Sequence, residues 1–241
     1  MDESMMDQKW HVGVLIPARN EEELLPRCLR SVLIAVALLP QTVTADIIVV
    51  ADKSTDRTMQ TAARLLRGRG IAVRAEAGMV GAARALAAAF ALKRRRRCLH
   101  RSWLANTDAD CVTPPTWLAD QLHLANQGAE AIAGTVGVDS FSEHGPEVAE
   151  RFRASYVVRA DGSHPHVHGA NLGVRADAYL QVGGWRDLSN AEDHDLWGRL
   201  LHNGYSTVST ARIEVATSGR RNGRAPHGFA GALAAHNRAP A

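Results

Sequence analysis

The chain has 241 residues, of which 46% are hydrophobic and 22% charged, and its formal net charge is +3. This length and balance indicate one globular domain with a full core, and they exclude fibrous and disordered proteins. The apolar stretch Val32–Leu39 is too short to span a bilayer, and the N-terminal residues are acidic where a secretory signal has cations. The three cysteines lack metal-ligand spacing. We therefore expect a cytoplasmic protein with reduced thiols.

Strands and helices alternate along the first half of the chain. The β-branched runs His11–Ile16 and Asp46–Ala51 are apolar on both faces, as buried parallel strands are. Apolar residues at helical spacing between them predict a crossover helix that starts near Pro26. The elements predicted next are helix Thr55–Arg67, strand Ile71–Arg74, helix Gly81–Leu92, strand Ser102–Asn106, a helix after Pro115 and strand Ala131–Val136. This order predicts an α/β fold with a mostly parallel central sheet and helices on both faces.

The second half of the chain is less regular. We predict a helix over Pro146–Val158, an extended stretch over His164–Val174 and a helix over Ala191–His202. The C-terminal residues are rich in Arg, Gly and Ala. We therefore predict one domain over residues 1–216 and a basic tail over residues 217–241.

Positive charge is concentrated in the run Lys93–Arg97, which follows a predicted helix. Cations at a helix end interact favourably with the helix dipole, and we favour this interpretation. The same run would also suit peripheral contact with the anionic inner face of a membrane. No aromatic platform or reader motif accompanies the run, so we expect no nucleic-acid partner.

Polar clusters follow three of the predicted strands, and ligands of parallel sheets bind at the carboxyl ends of the strands. Asp108 and Asp110 alternate after the strand Ser102–Asn106, so on an extended strand end both side chains point to one side. Their repulsion is relieved by a cation, and carboxylate oxygens suit Mg²⁺ or Mn²⁺ completed by water and a substrate phosphate. The pair therefore predicts a divalent cation and a phosphate-bearing substrate.

Other polar residues suggest what surrounds that cation. Asp52, just after the second strand, is placed to accept hydrogen bonds from the base or ribose of a nucleotide. Arg84 and the amide end of the Ala-rich helix could face a diphosphate, or Arg84 could be a surface residue. Glu192, Asp193 and Asp195 lie in the first turn of a predicted helix. Acids there stabilise the helix dipole, and one of them could also serve as a general base.

The sequence resembles the family 2 glycosyltransferases of the GT-A fold from Val12 to Gly204. Six motifs in family order carry the resemblance: IPARNEE, VVADKSTDRT, GMVGAARALA, NTDADCVTP, HGANLGVRADAYLQVGGW and EDHDLWGRL. The resemblance implies a nucleotide-diphospho-sugar donor, for which we favour a UDP-sugar over a GDP-sugar, and Mg²⁺ or Mn²⁺ as cofactor. It predicts neither the acceptor nor the oligomeric state.

The resemblance also implies roles for individual residues. Asp193 would be the catalytic base of an inverting transfer to an acceptor hydroxyl. The cation would be held by Asp108 and Asp110, with Asp110 as the direct ligand, and by His227 from the tail. The tail over residues 217–241 could close over the active site as a lid, as in many enzymes of this fold. The residues expected to contact the donor are Pro17, Ala18, Asn20, Glu21, Asp52, Gly81, Arg84, Asp108, Asn171, Glu192, Arg221 and Arg224.

Two alternative functions remain beside glycosyl transfer. A sugar-1-phosphate nucleotidyltransferase normally has a Gly-rich loop after the first strand, and PARNEEE contains no glycine. A non-catalytic nucleotide-sugar-binding protein would have no need of Asp108, Asp110 and Asp193 together.

The imidazoles at His164, His166 and His168 alternate and so share one strand face. We expect acceptor contacts or a polar face there rather than a transition-metal site.

Overall fold

The computed structural model describes residues 9–94, 98–188, 190–223 and 228–237. These residues contain seven strands and eight α-helices. The strands are β1 His11–Ala18, β2 Thr44–Asp52, β3 Gly70–Ala75, β4 Ser102–Asn106, β5 Ala131–Val138, β6 Leu172–Arg175 and β7 Thr207–Thr217. The helices are α1 Leu25–Ala37, α2 Thr58–Leu66, α3 Val80–Arg94, α4 Trp117–Asn126, α5 Val148–Ser155, α6 Ala176–Gln181, α7 Glu192–His202 and α8 Phe229–Ala235.

All seven strands form one sheet in the order β3-β2-β1-β4-β6-β5-β7. Strand β6 runs antiparallel to its neighbours β4 and β5, and the other neighbouring pairs are parallel. Six strands therefore point the same way, and their carboxyl ends share one edge. The predicted α/β fold with a mostly parallel sheet is confirmed.

The core lies in two layers, one on each face of the sheet. Helices α1, α2 and α4 pack on one face against the alternate β1 residues Val12, Val14 and Ile16. Helices α3, α6 and α7 pack on the other face, where Leu15 of β1 points. The α3 side of this layer is built largely from alanines, so the helix backbone lies close to the sheet.

Three elements were missed by the sequence prediction, namely α6, β7 and α8. Strand β7 is the edge strand beside β5 and buries Ile213 and Val215 in alternation with more exposed residues. Helix α6 has only six residues, which is too short to display a helical period. The predicted extended stretch His164–Val174 contains a 3₁₀ turn, Gly169–Asn171, immediately before β6.

The tail folds back onto the domain. Residue Thr217 belongs to β7, and α8 buries Ala230 and Leu233. Asn237 joins the tail to the loop before α5, because its side-chain oxygen accepts a hydrogen bond from the Gly145 backbone at 3.0 Å. The division at residue 216 and the lid stay predictions. Among the described residues, no helix is both long enough and apolar enough to traverse a bilayer.

Candidate active site

The loops after β1 and β2 are tied together by hydrogen bonds. Asn20 has a φ of 52°, a left-handed conformation that asparagine tolerates better than most residues. Its side-chain oxygen accepts a hydrogen bond from the Thr55 backbone at 2.8 Å, and the Glu21 backbone donates to Thr58 Oγ1 at 2.8 Å. The Asn20 side chain thus holds the loop after β1 against the loop after β2. The predicted nucleotide-site residues Pro17 and Ala18 lie buried at the end of β1.

Asp52 and Gly81 also have contacts within the protein. Both carboxylate oxygens of Asp52 accept from the backbone N–H of Gly78, at 2.8 and 3.0 Å, so Asp52 anchors the loop before α3. Gly81 lies in the first turn of α3, where a side chain would collide with the carbonyl oxygen of Arg186. This close approach accounts for the glycine, and its predicted donor contact stays a prediction.

The acid pair after β4 is neutralised by two arginines. Arg84 of α3 donates to Asp108 at 2.6 Å. Arg220, which follows β7, lies 2.9 Å from Asp110 and donates two hydrogen bonds to Glu21 at 2.7 and 2.9 Å. Sequence reasoning counted Arg220 only as one of several tail cations and chose Arg221 instead. The sequence offered no signal to separate the two, because β7, the strand that positions Arg220, was itself missed.

Asp110 is the more perturbed member of the pair. Its burial and the negative charge of Asp108 raise its pKa to about 6, and the opposite charge of Arg220 opposes this shift. Asp108, Asp110 and Cys111 bring one ligand atom each within 4.8 Å of one another. Burial also raises the pKa of the Cys111 thiol, so it stays protonated and does not suit a hard cation. The two carboxylates fit a divalent cation that completes its shell with water and phosphate.

Arg84 is buried in the centre of the site, with only 2% of its side chain exposed. Besides Asp108, its guanidinium donates to the Gly169 carbonyl oxygen at 2.8 Å and lies 3.7 Å from Glu192 Oε1. The guanidinium also lies over the Trp185 ring, 5.3 Å from the centroid. Internal partners thus surround the Arg84 guanidinium, and its predicted contact with a donor diphosphate stays a prediction.

The acids at the start of α7 lie beside this arginine. Glu192 is buried, which raises its pKa, while the nearby charge of Arg84 counteracts the shift. Asp193 is partly exposed and accepts from the Gly169 backbone at 2.7 Å and from the His194 backbone at 2.8 Å. A carboxylate has about four acceptor positions, so these two bonds orient Asp193 and leave positions for a substrate hydroxyl.

Asn171 has a structural role within the protein, and its predicted donor contact stays a prediction. It is 1% exposed, and its amide nitrogen donates to the carbonyl oxygens of Thr135 and Ile213, both at 2.9 Å. Its oxygen accepts from the Trp117 indole at 3.0 Å. The β5–β7 register shifts between Gly134 and Thr135, and Asn171 satisfies carbonyl groups at this irregularity.

Of the tail residues predicted to contact the donor or the cation, the structure describes Arg221. Arg221 is exposed, and its backbone N–H donates to Glu143 at 2.8 Å. Arg224 and His227, and Arg95–Arg97 of the basic run, lie outside the described residues.

The three alternating histidines form a stack of rings. The His166 ring lies between those of His164 and His168, at 5.9 and 6.1 Å between centroids, and stacks on Tyr156 at 4.0 Å. Burial lowers the pKa of His168 to about 4, and its Nε2 shares a hydrogen bond of 3.0 Å with the Tyr156 hydroxyl. Within the described part of the chain, no histidine belongs to a group of convergent metal ligands.

Comparison with known proteins assigns the fold and the family. The family model for glycosyl transferase family 2 matches residues 13–183, which is more than half of the chain. The chain belongs to glycosyl transferase family 2. The family match covers the acid pair, Arg84 and Asn171, whereas α7 and the tail lie beyond it. No curated protein matches the sequence of this family member.

Solved structures of similar fold include two complexes with nucleotide-sugars. One is S. aureus TarS 1-349 in complex with UDP-GlcNAc, with a TM-score of 0.65 and 15% identity over 91% of this chain and 61% of that one. Another is the mannosyltransferase PcManGT from Pyrobaculum calidifontis with GDP-Man and Mn²⁺, with a TM-score of 0.61 and 17% identity over 90% of this chain and 59% of that one. The family 2 chain thus spans about three fifths of the length of these structures.

Proposed function

We propose that this protein transfers a sugar from a nucleotide-diphospho-sugar to an acceptor hydroxyl. The observation that carries the proposal is a set of contacts beside the acid pair: Arg84 donates to Asp108 and to the Gly169 carbonyl oxygen, and the Gly169 N–H donates to Asp193. Glycosyl transfer needs both a site for the departing diphosphate and a group that accepts the proton of the acceptor. The family assignment favours this reaction over nucleotidyl transfer.

On the donor side, Asp108 and Asp110 would hold a divalent cation, either Mg²⁺ or Mn²⁺. When bound, the cation would neutralise the negative charge that develops on the leaving diphosphate. Arg220 contributes positive charge at the same edge. The comparisons include complexes with UDP-GlcNAc and with GDP-Man and Mn²⁺, which supports a nucleotide-sugar donor for this chain as well.

On the acceptor side, Asp193 would accept the proton from the attacking hydroxyl, with inversion at the anomeric carbon. Backbone N–H groups of Gly169 and His194 hold its two oxygens in fixed positions. A carboxylate oriented in this way needs little reorganisation to meet the acceptor. The acceptor itself is defined here only by its hydroxyl group.

The test is transfer from a panel of UDP- and GDP-sugars to simple sugar acceptors, with and without Mn²⁺. We expect Asp193→Asn to abolish transfer and to leave nucleoside-diphosphate binding nearly unchanged, as measured by thermal shift. Asp195→Asn is the matched control, since Asp195 lies on the same helix but bonds Arg186 and Arg199. Undiminished turnover in Asp193→Asn would refute its role as the base. Donor hydrolysis without an acceptor separates an enzyme from a binding protein.

A further inference from the structure

The buried guanidinium of Arg84 joins parts of the chain that are distant in sequence. It hydrogen-bonds Asp108 after β4 and the carbonyl oxygen of Gly169 before β6, and it lies next to Glu192 at the start of α7. The Trp185 ring covers it. The planar fork of arginine can make such bonds in several fixed directions at once, whereas a lysine ammonium cannot match this geometry.

Gly169 connects Arg84 to Asp193. Its carbonyl oxygen accepts from Arg84 at 2.8 Å, and its own N–H donates to Asp193 at 2.7 Å. A Cβ atom at this position would lie 2.5 Å from Arg84 Nη2, so the close approach of the guanidinium requires glycine. One residue thus links the arginine that holds Asp108 to the carboxylate on the other side of the site.

We propose that Arg84 is a positioning residue that fixes the separation between Asp108 on the donor side and Asp193 on the acceptor side through Gly169. This inference rests on the proposed function, in which both carboxylates act in the same transfer step. Arg84 touches neither donor nor acceptor in this role. Its loss lets the two carboxylates shift relative to each other, and a misplacement of about 1 Å can reduce a rate by roughly 100-fold.

The decisive measurement separates kcat from the donor KM in Arg84→Met. We expect kcat to fall by roughly 100-fold, the effect of a misplacement of about 1 Å, while the donor KM stays close to that of the unmodified protein. A donor-phosphate ligand would give the opposite result, a raised donor KM with little change in kcat, and this outcome would overturn the proposal. Arg84→Lys retains the charge but not the fork, so full rescue by lysine would also overturn it.

A second variant tests the link without removing the buried charge. Gly169→Ala forces the guanidinium away, so we expect it to lower kcat as well, and the double variant with Arg84→Met to lose little more than either single variant. If the losses in kcat from the two substitutions were fully additive, Arg84 and Gly169 would act independently, which would contradict the proposal. If Arg84→Met does not fold, Gly169→Ala alone decides the question, because an unchanged kcat in this variant overturns the proposal.

Controls separate this inference from the proposed function. Arg175→Lys alters a partly buried arginine that bonds Glu130 and Asp177 away from the site, and we expect its kcat to be unchanged. An unmodified protein that transfers no sugar from any donor would refute the proposed function. An unmodified protein that turns over, together with an Arg84→Met variant of equal kcat, would refute the positioning role alone.

Discussion

The ion pairs of Arg220 allow a quantitative test of how the acid pair is neutralised. Arg220→Met leaves the buried carboxylate of Glu21 and the partly buried carboxylate of Asp110 without their shared cation. Removing one partner of a buried ion pair costs about 3–5 kcal/mol, and we expect the lower end, since the Arg220 side chain is 18% exposed. For a domain of this length, a loss of about 3 kcal/mol lowers Tm by roughly 6–12 °C.

Mn²⁺ should compensate for this loss, because a divalent cation can take the place of the guanidinium at Asp110. At about 100 times its Kd, a ligand stabilises the folded state by about 2.7 kcal/mol, which is close to the expected loss. Differential scanning fluorimetry with increasing Mn²⁺ should therefore show a larger rise in Tm for Arg220→Met than for the unmodified protein. Arg221→Met is the matched control, as it changes an exposed neighbour. Equal Mn²⁺ responses in Arg220→Met and the unmodified protein would refute the competition.

Three further predictions concern single side chains. Asn171→Ala leaves the buried partners of its side chain unpaired, so we expect denaturant titration to show a stability loss of about 3 kcal/mol. Nucleoside-diphosphate binding should be retained, and unchanged stability would contradict the structural role of Asn171. His168 has a folded pKa of about 4, below its unfolded value, so the unfolded state binds more protons and stability falls as pH drops from about 6.5 toward 4. His168→Gln should flatten this part of the Tm-pH profile, and an identical profile would show that His168 does not titrate as expected. Asp110→Asn should abolish the Mn²⁺-dependent Tm shift produced by nucleoside diphosphates, and a retained shift would exclude Asp110 as the ligand.

The parallel half of the sheet could be predicted because its strands are buried on both faces. Strands β1, β2 and β4 appear in the sequence as continuous apolar runs, and the helices between them have a clear period. Strand β7 lies at the sheet edge and alternates buried with exposed residues, so it lacked that signal. The antiparallel β6 has four residues, and its direction depends on its partners β4 and β5 rather than on its own sequence.

The position of the site could also be predicted, but the contacts of its side chains could not. The rule that ligands bind beyond the carboxyl ends of parallel strands indicated the edge that carries Asp52, Asp108 and Asp110. Whether a polar residue such as Asn171 turns toward a ligand or toward the protein depends on irregularities elsewhere. In this case, the register shift between β5 and β7 leaves two carbonyl oxygens that accept hydrogen bonds from the Asn171 side chain. Such long-range demands have no local sequence pattern.

The two acids of the pair differ in how readily they can exchange an arginine for a metal ion. Asp108 is bonded to Arg84, which is 2% exposed and held in addition by Gly169 and Glu192. Asp110 is paired with Arg220, which belongs to the segment after the last strand of the sheet and is more exposed. The cost of displacing a cation rises with its burial and with the number of its other bonds. Under the proposed function, we therefore expect a divalent ion to replace an arginine at Asp110, while Asp108 keeps Arg84 as a fixed partner.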